Sequence, residues 1–232
     1  MKPRLLDLFC GAGGATVGYA RAGFEITGVD CRPMPRFPYR FIQANALEYL
    51  AEHGREYDVI HASPPCQRFS IGSIAGRSRD RHPDLLTPTR TALLANGRPW
   101  VIENVPGAPM QPPTIMLCGL MFGLKVFRHR LFESSELLFA PSHPSHRGKR
   151  IGEGGMCCVA GHGGQSSGFG QGWSRRVPAD HRTKAAWSRA MGIDWMTRDE
   201  LAQAIPPLYT LWIGRQLINA LGATVFLLSG AQ

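Results

Sequence analysis

The stretch Leu5-Leu6-Asp7-Leu8-Phe9-Cys10-Gly11-Ala12-Gly13-Gly14 decides the fold of this chain. Its first half is a short apolar strand and its second half a glycine-rich turn, and a helix is predicted from Ala15 to Ala22. Clustered glycines allow positive φ and let the backbone approach a ligand closely. No Lys-Ser/Thr pair follows them, which disfavours a phosphate-binding P-loop. The stretch predicts an α/β protein whose first turn between strand and helix binds a ligand.

A second strand, Glu25-Ile26-Thr27-Gly28-Val29-Asp30, ends in a carboxylate one strand–helix–strand step later. A carboxylate at that position can accept hydrogen bonds from both hydroxyls of a ribose. The two features fit a nucleoside without a phosphate tail, such as S-adenosylmethionine, and they also fit a dinucleotide. The alternative is that the glycines serve only the packing of a tight turn.

Pro64-Pro65-Cys66-Gln67 follows the apolar run from Tyr57 to Ala62. Proline fixes φ and cannot continue a sheet ladder, so the chain leaves the strand there with the cysteine at the sheet edge. Chemistry in α/β proteins usually takes place at that edge. A cysteine with a structural role would more often lie inside the apolar run.

The run Trp100-Val101-Ile102-Glu103-Asn104-Val105 ends another apolar strand in a glutamate. Half-burial raises a carboxyl pKa, which suits a group that holds or donates a proton near neutral pH. The alternative is a glutamate that only caps the next turn. If Cys66 and Glu103 follow neighbouring parallel strands, both side chains project from one sheet edge, and a thiol and a carboxyl above a nucleoside site predict a reaction.

In their order along the chain, these motifs resemble those of the C5-cytosine DNA methyltransferases, and specifically a compact, phage- or prophage-like member. The resemblance rests on Asp7 to Gly14, on Pro64-Pro65-Cys66-Gln67-Arg68-Phe69-Ser70, on Glu103-Asn104-Val105, and on Arg128-His129-Arg130 with Ile205-Pro206-Pro207. It implies an α/β, Rossmann-like S-adenosylmethionine-dependent methyltransferase fold with a small target-recognition insertion. The implied division is a catalytic part at 1–133, a target-recognition region at 134–183, and helices at 184–232 that complete the catalytic domain.

The resemblance also implies roles for individual residues. Cys66, as thiolate, adds to C6 of a cytosine that has left the base stack. Glu103 binds the N3/N4 edge of the base, Arg130 holds its O2, and Arg128 supports the site. The implied contacts to S-adenosylmethionine are Phe9, Gly11, Ala12, Gly13, Gly14, Asp30, Cys31, Asn45, Ala46, Pro65, Gln203 and Ala204. The implied contacts to nucleic acid are Gln67, Arg68, Ser70, Arg77, Arg79, Arg81, Arg175 and Arg176.

Three positions depart from the family pattern. Asn45 stands at the end of the third strand where the family usually has an aspartate facing the adenine amine, and Val126 stands in place of a glutamine. Gln203-Ala204 replace the Asn-Ser that often precedes the final prolines. None of the three removes a reacting group.

Charge predicts a polyanionic partner, which the resemblance makes double-stranded DNA. The net charge is +9, and basic residues recur at 68–81 and at 147–184, on either side of the site. A monomer in the cytoplasm of a bacterial or phage-infected cell is expected, because no signal peptide or transmembrane run is present. Two alternatives stay open: tRNA as the substrate of the same chemistry, and a catalytically inactive relative that only binds nucleic acid.

Glycine and charge dominate two segments. Residues 71–82 predict a mobile loop that closes over the extruded base, and 134–182 predict the target-recognition region, with short strands around Met156 to Ala160. The alternative for the second segment is a flexible surface loop. Cys157 and Cys158, with His143, His146 and His162, raise the possibility of zinc, but the spacing does not match a Cys-x-x-Cys site, and no metal is expected. Cys10, Cys31 and Cys118 are predicted to be buried.

Three helices are predicted at the C-terminal end, over 183–191, over 198–204, and from Pro206-Pro207 onward. The last is expected to pack against the amino-terminal half through one apolar face. The residues expected on that face are Leu208, Leu211, Trp212, Ile218 and Leu221. Trp187, Trp195 and Trp212 are all expected in the core.

Overall fold

The structure is a computed structural model that describes residues 1–70, 81–159 and 179–229. Its centre is one mixed sheet of seven strands. The strands are β1 (Arg4–Leu8), β2 (Glu25–Asp30), β3 (Arg40–Gln43), β4 (Val59–Ala62), β5 (Trp100–Asn104), β6 (Thr114–Leu117) and β7 (Arg130–Ser134). They lie side by side in the order β3-β2-β1-β4-β5-β7-β6.

The strand directions bring the predicted reactive segments to one edge of the sheet. Strands β1 to β5 are parallel, and β7 runs antiparallel to β5 with Asn104 opposite Leu131. The carboxyl ends of β1, β2, β4 and β5 therefore meet the beginning of β7. The prediction that Cys66 and Glu103 share an edge of a parallel sheet is confirmed at the level of the strands that carry them.

Six α-helices accompany the strands in the described ranges. They are α1 (Gly14–Ala22), α2 (Ala46–His53), α3 (Leu86–Asn96), α4 (Lys184–Met191), α5 (Arg198–Gln203) and α6 (Pro207–Ser229). Side chains alternate across a strand, so Leu5 packs on one face with Tyr19 and Tyr209 of α1 and α6, while Leu6 packs on the other with Leu50 and Leu93 of α2 and α3. The sheet is thus covered by helices on both faces.

Helix α6 packs against α1 as predicted, and Ile218 and Leu221 of the predicted face pack against the core, but the fully buried positions are different ones. A Cβ on Gly18 would lie 2.0 Å from Thr210 Oγ1 and 2.1 Å from the Pro207 carbonyl oxygen, so the two backbones are in direct contact. The buried face of α6 carries Tyr209, Ile213 and Leu217. The expectation that Trp212 is a core residue is wrong: its side chain is 36% exposed, and its indole donates to the Phe139 carbonyl at 2.7 Å.

Trp187 is buried as predicted, and Trp195 is only partly buried. Cys10 and Cys118 are buried, whereas Cys31 is exposed, so that prediction fails for Cys31. In the described part of 156–160, Cys157 makes one isolated bridge with Val126 rather than a strand. No helix within the described ranges combines the length and the apolar character that crossing a bilayer requires.

Two element boundaries differ from expectation because a polar side chain caps a helix. Helix α3 begins at Leu86 rather than at Asp84, since Asp84 Oδ1 accepts the Leu86 N–H at 2.9 Å. Strand β3 ends at Gln43, and Asn45 is the N-cap of α2, where its Oδ1 accepts the Leu47 N–H at 3.0 Å. The oxygen of Asn45 is therefore engaged by the helix, not by a strand end.

Candidate active site

The glycine turn after β1 is held to the end of β2 by a carboxylate. Asp30 accepts the Gly11 N–H at 3.1 Å and the Arg32 N–H at 3.0 Å. Phe9, Gly11 and Gly13 all have positive φ, at 58°, 50° and 87°. A non-glycine residue with positive φ is uncommon, so Phe9 marks a turn that the surrounding structure enforces. The predicted cofactor residues from Phe9 to Gly14 thus curve around Asp30.

The segment between β2 and β3 covers this turn, which the sequence did not indicate. A Cβ on Gly28 would lie 2.2 Å from the Phe37 ring, and one on Gly13 would lie 2.9 Å from Pro38. Arg36 in the same segment makes a two-pronged ion pair with Glu200, at 2.7 and 2.9 Å. The run of prolines in residues 33–38 is the signal that could have pointed to a rigid cover.

The C-terminal helices also reach the glycine turn. The Trp195 indole donates to the Ala12 carbonyl at 2.9 Å. A Cβ on Gly14 would lie 3.1 Å from the Ala204 Cβ and 2.6 Å from the Ile205 carbonyl oxygen. Ala204 is therefore next to the turn, as its predicted cofactor role requires, whereas its neighbour Gln203 is exposed. Ala46 is buried at the start of α2, and Pro65 is partly buried beside Cys66.

Cys66 is half-buried just beyond β4. It precedes a short 3₁₀ turn over Gln67–Phe69, and its carbonyl accepts the Phe69 N–H at 2.9 Å. The Asn104 amide at the end of β5 donates to the Pro64 carbonyl at 3.1 Å, which fixes the Pro-Pro-Cys segment to the glutamate strand. Burial raises the pKa of the Cys66 thiol and the Glu103 carboxylate raises it further, while the two arginines of the 128–130 segment lower it.

Glu103 is buried and forms an ion pair with Arg130, whose Nε lies 2.9 Å from Glu103 Oε1. Burial raises the pKa of Glu103, and Arg130 and Arg128 oppose that shift. Arg130 also donates to the His129 carbonyl at 2.8 Å. A carboxyl whose pKa is raised by burial can hold a proton more readily than an exposed one and pass it to a bound base.

A chain of buried polar groups leads to Glu103 and was missed from the sequence. Tyr19 Oη lies 3.0 Å from His61 Nδ1, His61 Nε2 lies 2.8 Å from Ser63 Oγ, and the Ser63 hydroxyl bonds to the Glu103 carboxyl. Burial lowers the pKa of His61 to about 3, so the imidazole is neutral and has one donor and one acceptor. His61 lies in β4 and Ser63 directly follows it. Two polar residues in and after an apolar strand were the sequence signal that could have indicated this hydrogen-bonded chain.

Arg128 is buried and acts through the backbone. Its guanidinium donates to the carbonyls of Ala204 at 2.7 Å, Ala202 at 2.8 Å and Val159 at 2.5 Å. Its backbone φ is 35°, a strained value for an arginine. The side chain thus joins the start of β7 to the end of α5 and to residue 159.

The predicted nucleic-acid residues are only partly described. Gln67 and Arg81 are exposed, Ser70 Oγ donates to the Gln67 carbonyl, and Arg68 donates to the His82 carbonyl at 3.0 Å. Arg77, Arg79, Arg175 and Arg176 lie outside the described residues, as do His162 and residues 71–80 of the predicted loop at 71–82.

No model of a known protein family matches the chain. A segment of 110 residues is 34% identical to the Type II methyltransferase M.AplI of Arthrospira platensis, over 44% of this chain and 31% of that protein. Another match, 33% identical over 122 residues, is the Type II methyltransferase M1.HphI of Haemophilus parahaemolyticus, over 45% of this chain and 33% of that protein. The chain therefore spans about a third of the length of these curated relatives.

Among solved structures, the S. pombe Dnmt2 methyltransferase superposes with a TM-score of 0.61 and 13% identity, over 95% of this chain and 99% of that one. At that identity the likeness shows the fold alone. The chain has an α/β, Rossmann-like methyltransferase fold, and part of its sequence is similar to Type II methyltransferases.

Proposed function

We propose that the protein is a DNA (cytosine-5)-methyltransferase that uses S-adenosylmethionine. The observation that carries the proposal is the buried ion pair between Glu103 and Arg130, at 2.9 Å, next to the Cys66 thiol on the edge that holds the glycine turn. Methylation at C5 of cytosine needs a nucleophile for C6, an acid for N3 and a cation for O2. These three residues supply those three groups.

The residues around the glycine turn fit S-adenosylmethionine. A carboxylate has about four lone-pair sites, and Asp30 uses two of them for the N–H groups of Gly11 and Arg32, which leaves capacity for ribose hydroxyls. A Cβ on Gly11 would meet no atom within 4 Å, so open space faces the turn. The bound cofactor supplies an electrophilic methyl group on a sulfonium centre.

The chemistry assigned to the protein runs in two stages. The Cys66 thiolate forms a bond to C6, while Glu103 gives a proton to N3 and Arg130 neutralises charge at O2. C5, now electron-rich, takes the methyl group from the sulfonium, which leaves S-adenosylhomocysteine. The C5 proton then leaves to water, the bond from sulfur to C6 breaks to release Cys66 as thiolate, and N3 returns its proton to Glu103. Extrusion of the cytosine costs about a few kcal/mol.

DNA is favoured as substrate by the similarity to Type II methyltransferases and by the positive charge of the chain. Methyltransferases of this class act beside restriction enzymes, so a restriction–modification setting is part of the proposal. Because C6 of a cytosine cannot be reached inside a duplex, the base must leave the stack to meet Cys66 at the sheet edge.

Transfer of labelled methyl groups to duplex DNA and to tRNA tests the proposal. Cys66→Ser should lower transfer to DNA by at least about a thousandfold, whereas Cys158→Ser, at an exposed cysteine, should leave it unchanged. Duplex DNA with 5-fluorocytosine should give a covalent complex with the wild type only. Full turnover by Cys66→Ser, labelling of tRNA alone, or labelling of adenine would overturn the proposal.

A further inference from the structure

Within the described ranges, four side chains that the active site does not use bring their ligand atoms together. They are Cys118, His129, His143 and His146, and their sulfur and ring nitrogens all lie within 4.8 Å of one another. Cys118 Sγ is 3.3 Å from His146 Nε2, and His129 Nε2 is 3.2 Å from His143 Nε2. We propose that this cluster is a zinc site built from one thiolate and three imidazoles.

The distances match tetrahedral zinc. With Zn–S near 2.3 Å and Zn–N near 2.0 to 2.1 Å, the ligands of a tetrahedral site are separated by about 3.3 to 3.6 Å. The two close pairs, at 3.3 and 3.2 Å, are near that spacing, and one ligand atom from each of the four residues lies within 4.8 Å of the other three. Four nitrogen and sulfur donors without a carboxylate also select zinc over magnesium or calcium.

The stacking of the rings preorganises the cluster. The His129 and His143 rings are nearly parallel, 12° apart with centroids at 5.4 Å. The Phe127 ring stacks on His146 at 4.4 Å. Ring nitrogens and a thiol sulfur this close together need a proton or a cation between them, and one zinc ion would satisfy all four donors at once.

The site differs from the zinc possibility raised by the sequence. Cys157 lies elsewhere, with its thiol on the carbonyls of Gly155 and Ala186, and neither it nor Cys158 belongs to the cluster. Cys118 and His129 come from either side of the loop between β6 and β7, whereas His143 and His146 follow β7. The four ligands span residues 118–146, a separation without the short spacing of a zinc knuckle.

The position of His129 gives the metal a structural role. Four protein ligands leave no open coordination position, as in structural zinc sites. His129 lies between Arg128, whose backbone is strained at a φ of 35°, and Arg130, which pairs with Glu103. A metal bond to His129 would hold this turn and fasten residues 143–146 to the edge of the active site.

Measuring the metal content tests the zinc site without any assay of activity. The result for the zinc site is therefore independent of the proposed function. The full chain, expressed with zinc and freed of loosely bound metal by gel filtration, should contain about one zinc per chain. Replacement by Co²⁺ should give the intense visible bands of a tetrahedral ion and a near-ultraviolet band from thiolate to cobalt. Cys118→Ser should abolish the near-ultraviolet band.

The variant His143→Ala removes an exposed ligand with little risk to folding, and it should weaken zinc binding by more than about 100-fold, beyond the effect of losing an outer-shell partner. His53→Ala, at a partly exposed histidine on α2, and Cys158→Ser are the matched controls and should bind like the wild type. Wild-type protein without bound zinc would overturn the site. So would equal affinity in His143→Ala, or loss of the cobalt–thiolate band in Cys158→Ser rather than in Cys118→Ser.

Discussion

Cys66 and Glu103 oppose each other electrostatically, although the proposed reaction needs both. The Glu103 carboxylate raises the pKa of the thiol, and Arg130 offsets part of that effect. In Glu103→Gln the negative charge is gone and the arginine remains, so the pKa of Cys66 should fall. We expect alkylation of Cys66 by iodoacetamide near neutral pH to become about two- to tenfold faster, while methyl transfer falls by at least about 100-fold.

Mass spectrometry of the Cys66 peptide separates its alkylation from that of the exposed Cys31 and Cys158. Glu56→Gln removes an exposed glutamate distant from the site and should change neither rate. Unchanged or slower alkylation in Glu103→Gln would show that the carboxylate does not act on the thiol.

The buried carboxyl of Asp7, on β1 before the glycine turn, makes the stability of the fold depend on pH. Burial raises its pKa to about 7, even though the Thr16 hydroxyl donates to it, and Oδ1 has no partner among the described residues. The folded state therefore binds a proton that the unfolded chain, at a pKa near 3.8, releases. This contribution to stability is complete below pH ~4 and is lost as the pH rises to about 7.

In Asp7→Asn, which resembles the protonated acid, that loss should disappear. The free energy of unfolding from urea titrations, compared at pH 5 and pH 8, should fall by a few kcal/mol less in the variant than in the wild type, on the order of the pKa shift converted to energy. Parallel pH profiles in the two proteins would mean that Asp7 is already ionised in the folded state.

The contact between α1 and α6 rests on backbone proximity rather than on large side chains. Thr210 Oγ1 donates to the Ala15 carbonyl at 2.7 Å, and a Cβ on Gly18 would overlap both Thr210 and Pro207. Gly18→Ala should lower the free energy of unfolding by about 3 kcal/mol, because the overpacked helices must separate. Urea denaturation measures this change.

Gly222, also in α6, supplies the control, since a Cβ there would meet no atom within 4 Å. Gly222→Ala should stabilise the protein by up to about 1 kcal/mol through helix propensity alone. A Gly18→Ala variant as stable as Gly222→Ala would show that α1 and α6 are not in close contact.

The contact between α1 and α6 illustrates which features of the helices and strands could be predicted from the sequence and which could not. The strands and the edge carrying Cys66 and Glu103 followed from apolar runs that end in proline or polar residues. The buried face of α6 could not be predicted in this way, because apolar residues occur all around that helix. Close contact with the glycines of α1 determines that Tyr209 is buried and Trp212 is exposed. Asn45 was misassigned because cap and strand-end residues are locally indistinguishable.

The active-site residues divide in the same way. Those carried by contiguous motifs could be proposed from the sequence alone, and the structure brings several of them to one sheet edge. Phe37 over Gly28, and Cys118 beside His146, depend on contacts between segments that are distant along the chain, and no local spacing encodes them. The chain from Tyr19 through His61 to Ser63 was missed for the same reason, since its members come from α1 and β4.

At the scale of the whole molecule, the edge that carries Cys66 is assembled from both ends of the chain. Trp195 bonds to Ala12, and Glu200 pairs with Arg36. Arg128 holds the carbonyls on either side of residue 203. The site therefore forms only when the C-terminal helices have docked on the sheet, which makes the glycine turn and the region around Arg130 parts of one cooperative unit.

The positive charge at this edge should set the salt dependence of the proposed DNA binding. Arg147, Lys149 and Arg150 are exposed and follow His146, which stacks on Phe127 near the start of β7. If all three contact phosphates, their joint replacement by glutamine should reduce the steepness of the plot of log K against log salt by about 3, near 0.9 per contact.

Lys2, Arg21 and Arg55 provide the control. They lie at the opposite edge, at the amino-terminal ends of the parallel strands, and their joint replacement removes the same charge from the total of +9. Fluorescence anisotropy with a duplex at several salt concentrations should show the smaller slope only for the first set, because contacts rather than net charge release counterions. An equal decrease in both sets would place the DNA elsewhere on the molecule.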